Sequence, residues 1–211
     1  MKILITDDHS VVRQGYASVL PTVIQPCEII EASNGEEANE LYLNESPDIV
    51  IMDINLPGIS GIEAASRILQ HDPDAKILFF SMYDEAPIVK QALDAGAMGY
   101  ITKSGSPKTL LEAVTRISKG EIFIEYDLVM KLALNNQEVS DERLRELTQR
   151  EFEVFVMLAR GQSNQLISET LDLNIKTVSN YVTTIKSKLN ISSTAELVHL
   201  AIDAGVIKFA H

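Results

Sequence analysis

Asp7, Asp8, Asp53, Asn55, Ser81 and Lys103 share one kind of placement. Each falls at, or just after, the carboxyl end of a short apolar run. The clearest case is residues 48–58, DIVIMDINLPG, where Ile49-Val50-Ile51-Met52 runs straight into Asp53. A lone carboxylate at the tip of a buried strand is costly to desolvate, so Asp53 needs partners. Carboxylates gathered in one crevice repel one another unless a cation joins them. Hard oxygen donors suit Mg²⁺, which keeps several waters and also accepts phosphate oxygens. Lys103 offers a compact positive charge and Ser81 a hydroxyl donor, both suited to a phosphoryl group. In such a site Asp53 is the nucleophile, because a carboxylate can take a phosphoryl group as an acyl phosphate.

The elements that must bring these residues together are legible as alternation. The runs KILIT (2–6), CEIIEA (27–32), DIVIM (48–52), KILFF (76–80) and GYIT (99–102) read as strands, nearly continuous in apolar residues. Such runs suit parallel strands covered by helices on both faces. Residues 10–20, 36–44, 62–70, 85–95 and 107–119 read as the helices between them. The expectation is a doubly wound α/β unit over 1–120 with a five-stranded parallel sheet, order 2-1-3-4-5, flavodoxin-like. With the second strand at the edge, the other four converge on one crevice at the carboxyl ends of the strands.

Residues 121–143 lose this rhythm, and NNQEVSDE within them reads as an acidic linker. A short helix is expected over 127–134. From 144 the pattern is helical to the end. Thr148, Ser163, Asn174 and Ser192 or Ser193 stand as N-cap candidates, with Gly161 and Gly205 as stops. Two short helices joined tightly at 172–174 match a helix-turn-helix, so 144–211 reads as a small all-α, four-helix domain. Its second helix, near 175–188, would enter the major groove of double-stranded DNA. Lys176, Thr177, Ser179, Asn180, Thr183, Lys186 and Lys188 are its candidate contacts. Asn180 could read adenine, the hydroxyls several bases, and the lysines phosphates.

Charge agrees in outline. The 211-residue chain carries a net charge of −12, distributed as −8 over 1–120, −4 over 121–143 and 0 over 144–211. The last part has no acid between Asp172 and Glu196, a modest electrostatic footprint for nucleic acid. Hydrophobic residues make up 45% of the chain, enough for real cores. The single cysteine, Cys27, cannot form an internal disulfide and reads as a small core hydrophobe. No apolar run has the length of a membrane span, and the chain reads as soluble and cytoplasmic.

DDH at 7–9, MDINLPG at 52–58, FFS at 79–81 and YITK at 100–103 together resemble the receiver domain of two-component response regulators. LTQRE, ARGQSNQLISETL and KTVSNYVTTIKSKLNI resemble the LuxR-type helix-turn-helix of the NarL/FixJ subfamily. The resemblance implies that Asp53 is the phosphoacceptor, fed by a sensor histidine kinase. It makes Asp8 and Asp53 side-chain ligands of Mg²⁺ together with the backbone carbonyl of Asn55, and places Asp7 close by. It makes Ser81 and Tyr100 a switch pair. It implies a transcription regulator that forms a homodimer on phosphorylation and binds promoter DNA, with RNA polymerase as a further candidate partner. Family members often carry Lys or Arg where this chain has Ser179 and Thr183, which implies weaker DNA binding by the monomer. In the family the last helix dimerises, and Ala195, Val198, Ala201 and Ile202 supply apolar surface here.

Other classes remain open at this point. An aspartate-dependent phosphohydrolase of the haloacid dehalogenase type uses D-x-D at its first strand. This chain has Asp53-x-Asn55 at the third, which lacks the general acid. An adaptor whose C-terminal helices bind protein rather than DNA is the other alternative.

Overall fold

The computed structural model describes residues 1–134, 142–171, 173–204 and 206–207. They form two compact units: Met1–Asp84 with Ile88–Leu132, and the remainder. The first alternates strand and helix in the order β1 (Lys2–Thr6), α1 (Ser10–Val23), β2 (Glu28–Ala32), α2 (Gly35–Glu45) and β3 (Ile49–Met52). It continues with α3 (Gly61–His71), β4 (Ile77–Ser81), α4 (Ala86–Asp94), β5 (Gly99–Thr102) and α5 (Pro107–Ser118). All neighbouring strands pair in parallel. All four residues of β3 are buried, as continuous apolar strands between two helical layers must be. On one face Ile3, Ile5, Ile49, Ile51, Leu78, Phe80 and Ile101 pack against Leu110, Val114 and Ile117 of α5.

The sheet order is β2-β1-β3-β4-β5-β6. The sixth strand, β6 (Phe123–Ile124), corrects the five-strand expectation. It falls at the start of the segment read as linker. Two residues are too few to show a periodicity, so only pairing with β5 (Gly99↔Phe123, Tyr100↔Ile124) defines it. Helix α6 (Tyr126–Leu134) follows, close to the expected 127–134. The rest of the expected linker, residues 135–141, lies outside the described residues.

Strand order reverses at β1, although every strand runs the same way: β2 lies to one side of β1, while β3 and its successors lie to the other. The crevice at that reversal is formed by the loops after β1 and β3. The register puts Thr6 beside Met52, and the Asp53 amide donates to the Thr6 carbonyl at 2.9 Å. Asp7 and Asp53 therefore leave the sheet side by side. The loop after Asp53 is held by glycines. A Cβ on Gly61 would stand 1.8 Å from the Asp53 carbonyl oxygen, so only glycine lets α3 begin so near it. Gly58 turns the loop at φ +75°, a left-handed conformation that favours glycine. Ser60 then caps α3 by accepting from the Glu63 amide.

The second unit contains a 3₁₀ turn (Glu142–Glu146), α7 (Gln149–Ala159), α8 (Asn164–Thr170), α9 (Ile175–Leu189) and α10 (Thr194–Asp203). The caps read from sequence are formed by Thr148, Ser163, Asn174 and Ser193, and Thr148 with Glu151 completes a capping box. Gly205 lies outside the described residues. Phe155, Val156, Ile167, Val178, Ile185, Leu189, Leu197 and Ala201 are fully buried and form the centre of the unit. Arg150 bonds Glu153 at 2.8 Å and the Leu171 carbonyl at 3.0 Å, tying α7 to the end of α8.

Candidate functional site

Lys103 leaves the end of β5 and places its ammonium between two carboxylates. Nζ lies 2.6 Å from Oδ2 of Asp53 and 2.7 Å from Oδ2 of Asp7. All three side chains are nearly out of solvent: 3% exposed for Asp53, 4% for Asp7 and 8% for Lys103. The second Asp53 oxygen, Oδ1, accepts from the Ile54 amide at 2.7 Å. The Asn55 amide stands 3.4 Å away on the same oxygen. Asp53 thus has its partners: a cation and the amides of its own loop.

Burial pushes Asp53 up to about 6; the Lys103 charge works against this and the Asp7 charge adds to it. Burial draws Lys103 down, yet the charges of Asp53 and Asp7 and their bonds outweigh it and hold it above its ordinary value. Lys103 is therefore a fixed cation, and Asp53 is ionised at neutral pH with part of its solvation replaced.

Asp8 and His9 complete the acidic cluster. One ligating atom each from Asp7, Asp8, His9 and Asp53 lie within 4.8 Å of one another. Three hard carboxylates that close could hold a divalent cation, and oxygen donors of this kind suit Mg²⁺. The His9 amide donates to Asp7 Oδ1 at 2.9 Å, and its ring Nδ1 lies 2.7 Å from Asp8 Oδ1. The sequence reading gave His9 no role; its position beside Asp8 follows only from the turn after β1. Arg13 was also missed. From α1 its Nη1 donates to the Asp7 carbonyl at 2.5 Å, and its Nε to Glu31 at 3.1 Å. No motif flagged it, because one turn of helix had to be placed before its reach was visible.

Ser81 ends β4 and is fully buried. Its carbonyl accepts from the Lys103 amide at 2.8 Å, so Ser81 and Lys103 are joined through the backbone. Its Oγ accepts from the Tyr83 amide at 3.4 Å. Tyr100 is fully buried and donates its hydroxyl to the Tyr83 carbonyl at 2.8 Å. Burial pushes the Tyr100 phenol up, so it stays a hydrogen-bond donor at all ordinary pH. Ser81 and Tyr100 therefore meet in the loop that follows β4.

In the helical unit, Lys176, Ser179, Asn180 and Thr183 are exposed on α9, opposite Val178 and Ile185. Ser179 and Thr183 donate their hydroxyl protons to the carbonyls of Ile175 (2.9 Å) and Ser179 (3.0 Å). Their oxygens then face outward as acceptors. Thr177 and Lys186 are half-buried. Lys188 is engaged within the unit: Nζ lies 2.7 Å from Glu151 and bonds the Glu146 carbonyl at 3.1 Å. Burial raises Glu151, but its bonds to Lys188 and Thr148 prevail and hold it below the usual carboxylate range. On α10, Ala195 is exposed, Val198 and Ile202 are half-buried, and Ala201 belongs to the core.

An acidic pocket at the reversal of a parallel sheet, closed by a lysine from β5 and a serine from β4, defines a phosphoacceptor type of α/β unit. The comparisons agree. Residues 3–115 match the family described as response regulator receiver domain, and residues 145–201 match bacterial regulatory proteins of the luxR family. The chain is 47% identical over 213 residues to the transcriptional activator protein ExaE of Pseudomonas putida, covering all of both chains. A LuxR-family two-component response regulator from Aurantimonas sp. is 38% identical with a TM-score of 0.61, over 65% of this chain and 98% of that one. RcsB of Salmonella enterica serovar Typhimurium, bound to a promoter in the presence of phosphomimetic BeF3⁻, is 25% identical with a TM-score of 0.60. That match covers 98% of this chain and 99% of RcsB. The chain belongs to the response regulators of the LuxR type, transcription regulators that join a receiver to a DNA-binding helix-turn-helix. No helix among the described residues is long and apolar enough to cross a membrane.

Proposed function

We propose that Asp53 accepts a phosphoryl group from a sensor histidine kinase, and that this controls how the α9 face binds promoter DNA. The observation that carries the reading is the Lys103 ammonium held between Asp53 and Asp7. Asp53 attacks phosphorus; its O–P bond forms as the bond from phosphorus to the donor's imidazole nitrogen breaks, and the imidazole leaves with the electron pair. Lys103 stands where it can offset charge on the transferred oxygens. Asp8, Asp53 and the Asn55 carbonyl, with Asp7 beside them, would hold Mg²⁺, which would supply further charge neutralisation. The Ser81 hydroxyl then bonds a phosphoryl oxygen, and the loop it shares with Tyr83 and Tyr100 carries the change onward.

The reaction is confined to the protein's own Asp53, in the cytoplasm. On DNA, Asn180, Ser179, Thr177 and Thr183 meet base edges, and Lys176 and Lys186 meet phosphates. Phosphorylation favours a homodimer, and two modest contacts gain affinity by acting together, with RNA polymerase as the partner at the promoter. The domains are a receiver over 1–120 whose sheet takes in β6, a linker over the remainder of 121–143 and the DNA-binding part over 144–211.

The test is a selection of fragmented genomic DNA by wild type and Asp53→Asn, each with Mg²⁺ and a small-molecule phosphodonor. Enrichment of a shared inverted repeat by wild type alone is the expected result. Equal enrichment by both would refute phosphorylation control. Enrichment by neither, with one phosphoryl group gained by the wild type, would refute DNA as the target.

A further inference from the structure

Glu125 lies just beyond β6, in the segment read as linker, yet its side chain grips the loop that carries the chemistry. Its Oε2 accepts from the Thr102 amide at 2.9 Å and from the Thr102 hydroxyl at 2.8 Å. Thr102 immediately precedes Lys103. Ser104, on the other side of Lys103, donates its hydroxyl to Thr102 Oγ1 at 3.1 Å. The Glu125 amide donates to the Tyr100 carbonyl at 3.1 Å, so Glu125 is itself anchored to β5. Gly105 leaves the space this needs: a Cβ there would stand 3.2 Å from both Glu125 Oε1 and the Thr102 carbonyl. The contacts line a cleft of about 480 Å³ shared with Asp84, Asp127 and Lys131.

Residues 102–104 are thus held from two sides. Ser81 of β4 takes the Lys103 amide at 2.8 Å, and Glu125 takes Thr102. The lysine stem is long and flexible, so the position of its ammonium depends on where its backbone is fixed. A displacement of about 1 Å in a reacting arrangement costs on the order of a hundredfold in rate. We propose that Glu125 is a positioning residue for phosphoryl transfer: by holding Thr102 it aims Lys103 at Asp53 and Asp7. This rests on the reading of Asp53 as phosphoacceptor.

The test uses the full chain with Mg²⁺ and acetyl phosphate, following intact mass with time. The phosphorus–oxygen bond to acetate breaks, the bond to Asp53 forms, and acetate leaves with the electron pair. Wild type, Asp53→Asn, Glu125→Ala, Glu125→Gln and Thr102→Val are compared, each with its thermal midpoint. Wild type gains one phosphoryl group and Asp53→Asn none. Glu125→Ala is slower by about tenfold at saturating donor, the loss of a strong pair of hydrogen bonds. Glu125→Gln stays within about twofold of wild type, because its amide oxygen accepts the same two bonds. Thr102→Val, which keeps only the amide bond, falls between them. A wild-type rate in Glu125→Ala, or Glu125→Gln as slow as Glu125→Ala, would overturn the proposal while leaving Asp53 as acceptor. Equal mass gain by wild type and Asp53→Asn would overturn the acceptor itself, and the proposal with it.

Discussion

Replacing Asp53 by Asn should make the receiver unit more stable at neutral pH, not less. Burial and the nearby Asp7 charge push Asp53 from 3.8 up to about 6 in the folded chain. Its ionised form is therefore disfavoured by folding, and the shift corresponds to about 3 kcal/mol above pH 6. The sign follows from proton linkage. Between pH 3.8 and about 6 the folded state keeps a proton that the unfolded state has released, so stability falls as pH rises through that window. Above it the full cost is present; below it the cost vanishes. Asn fills nearly the same volume and carries no charge. It also weakens the bond at 2.6 Å to Lys103, which keeps Asp7 at 2.7 Å. The shift to about 6 already contains that loss, so the net stabilisation is of the order of the shift itself, about 2–3 kcal/mol at pH 7.5. The assay is urea unfolding in EDTA, read by amide hydrogen exchange in peptides from β1, β3 and β4, so that only the receiver unit is scored. Wild type and variant should coincide near pH 4 and separate by pH 6.5. Adding Mg²⁺ should close the gap by stabilising wild type through binding. A variant less stable than wild type at pH 7.5 without metal would refute this account of the pocket.

Lys103→Met should remove phosphoryl uptake almost entirely, by about a hundredfold or more, because the fixed cation beside the transferred group is lost. It should also raise Asp53 further, since Asp7 then acts unopposed; the carbonyl carbon shift of labelled Asp53 against pH reports both. On DNA, Lys176→Ala should weaken binding across sequences and reduce the slope of log K against log salt by about 1. Lys188→Ala should leave that slope unchanged and lower the melting point of the helical unit, because Lys188 pairs with Glu151. Equal slope changes in both variants would show that Lys188 turns to phosphate on binding. Asn180→Ala should relax base preference at one position by about 1–3 kcal/mol, measured by selection before and after the change.

The sequence by itself determined much of this protein. Continuous apolar runs broken by turn residues required buried parallel strands, and the carboxyl-end rule then gathered Asp7, Asp8, Asp53, Ser81 and Lys103. Capping residues marked the C-terminal helices because capping is local chemistry, complete within four residues. Only the tertiary structure decided features that depend on meetings across the chain. Strand β6 has two residues and is defined by its partner β5. Glu125 reaches Thr102 because β6 lies next to β5, and Arg13 reaches the Asp7 carbonyl because α1 folds back along β1. Lys188 looked like a phosphate contact in a basic strip, but packing of α9 against α7 brought Glu151 to it. Period, caps and charge are properties of neighbouring residues. Which charge meets which is settled by the packing of elements far apart in sequence.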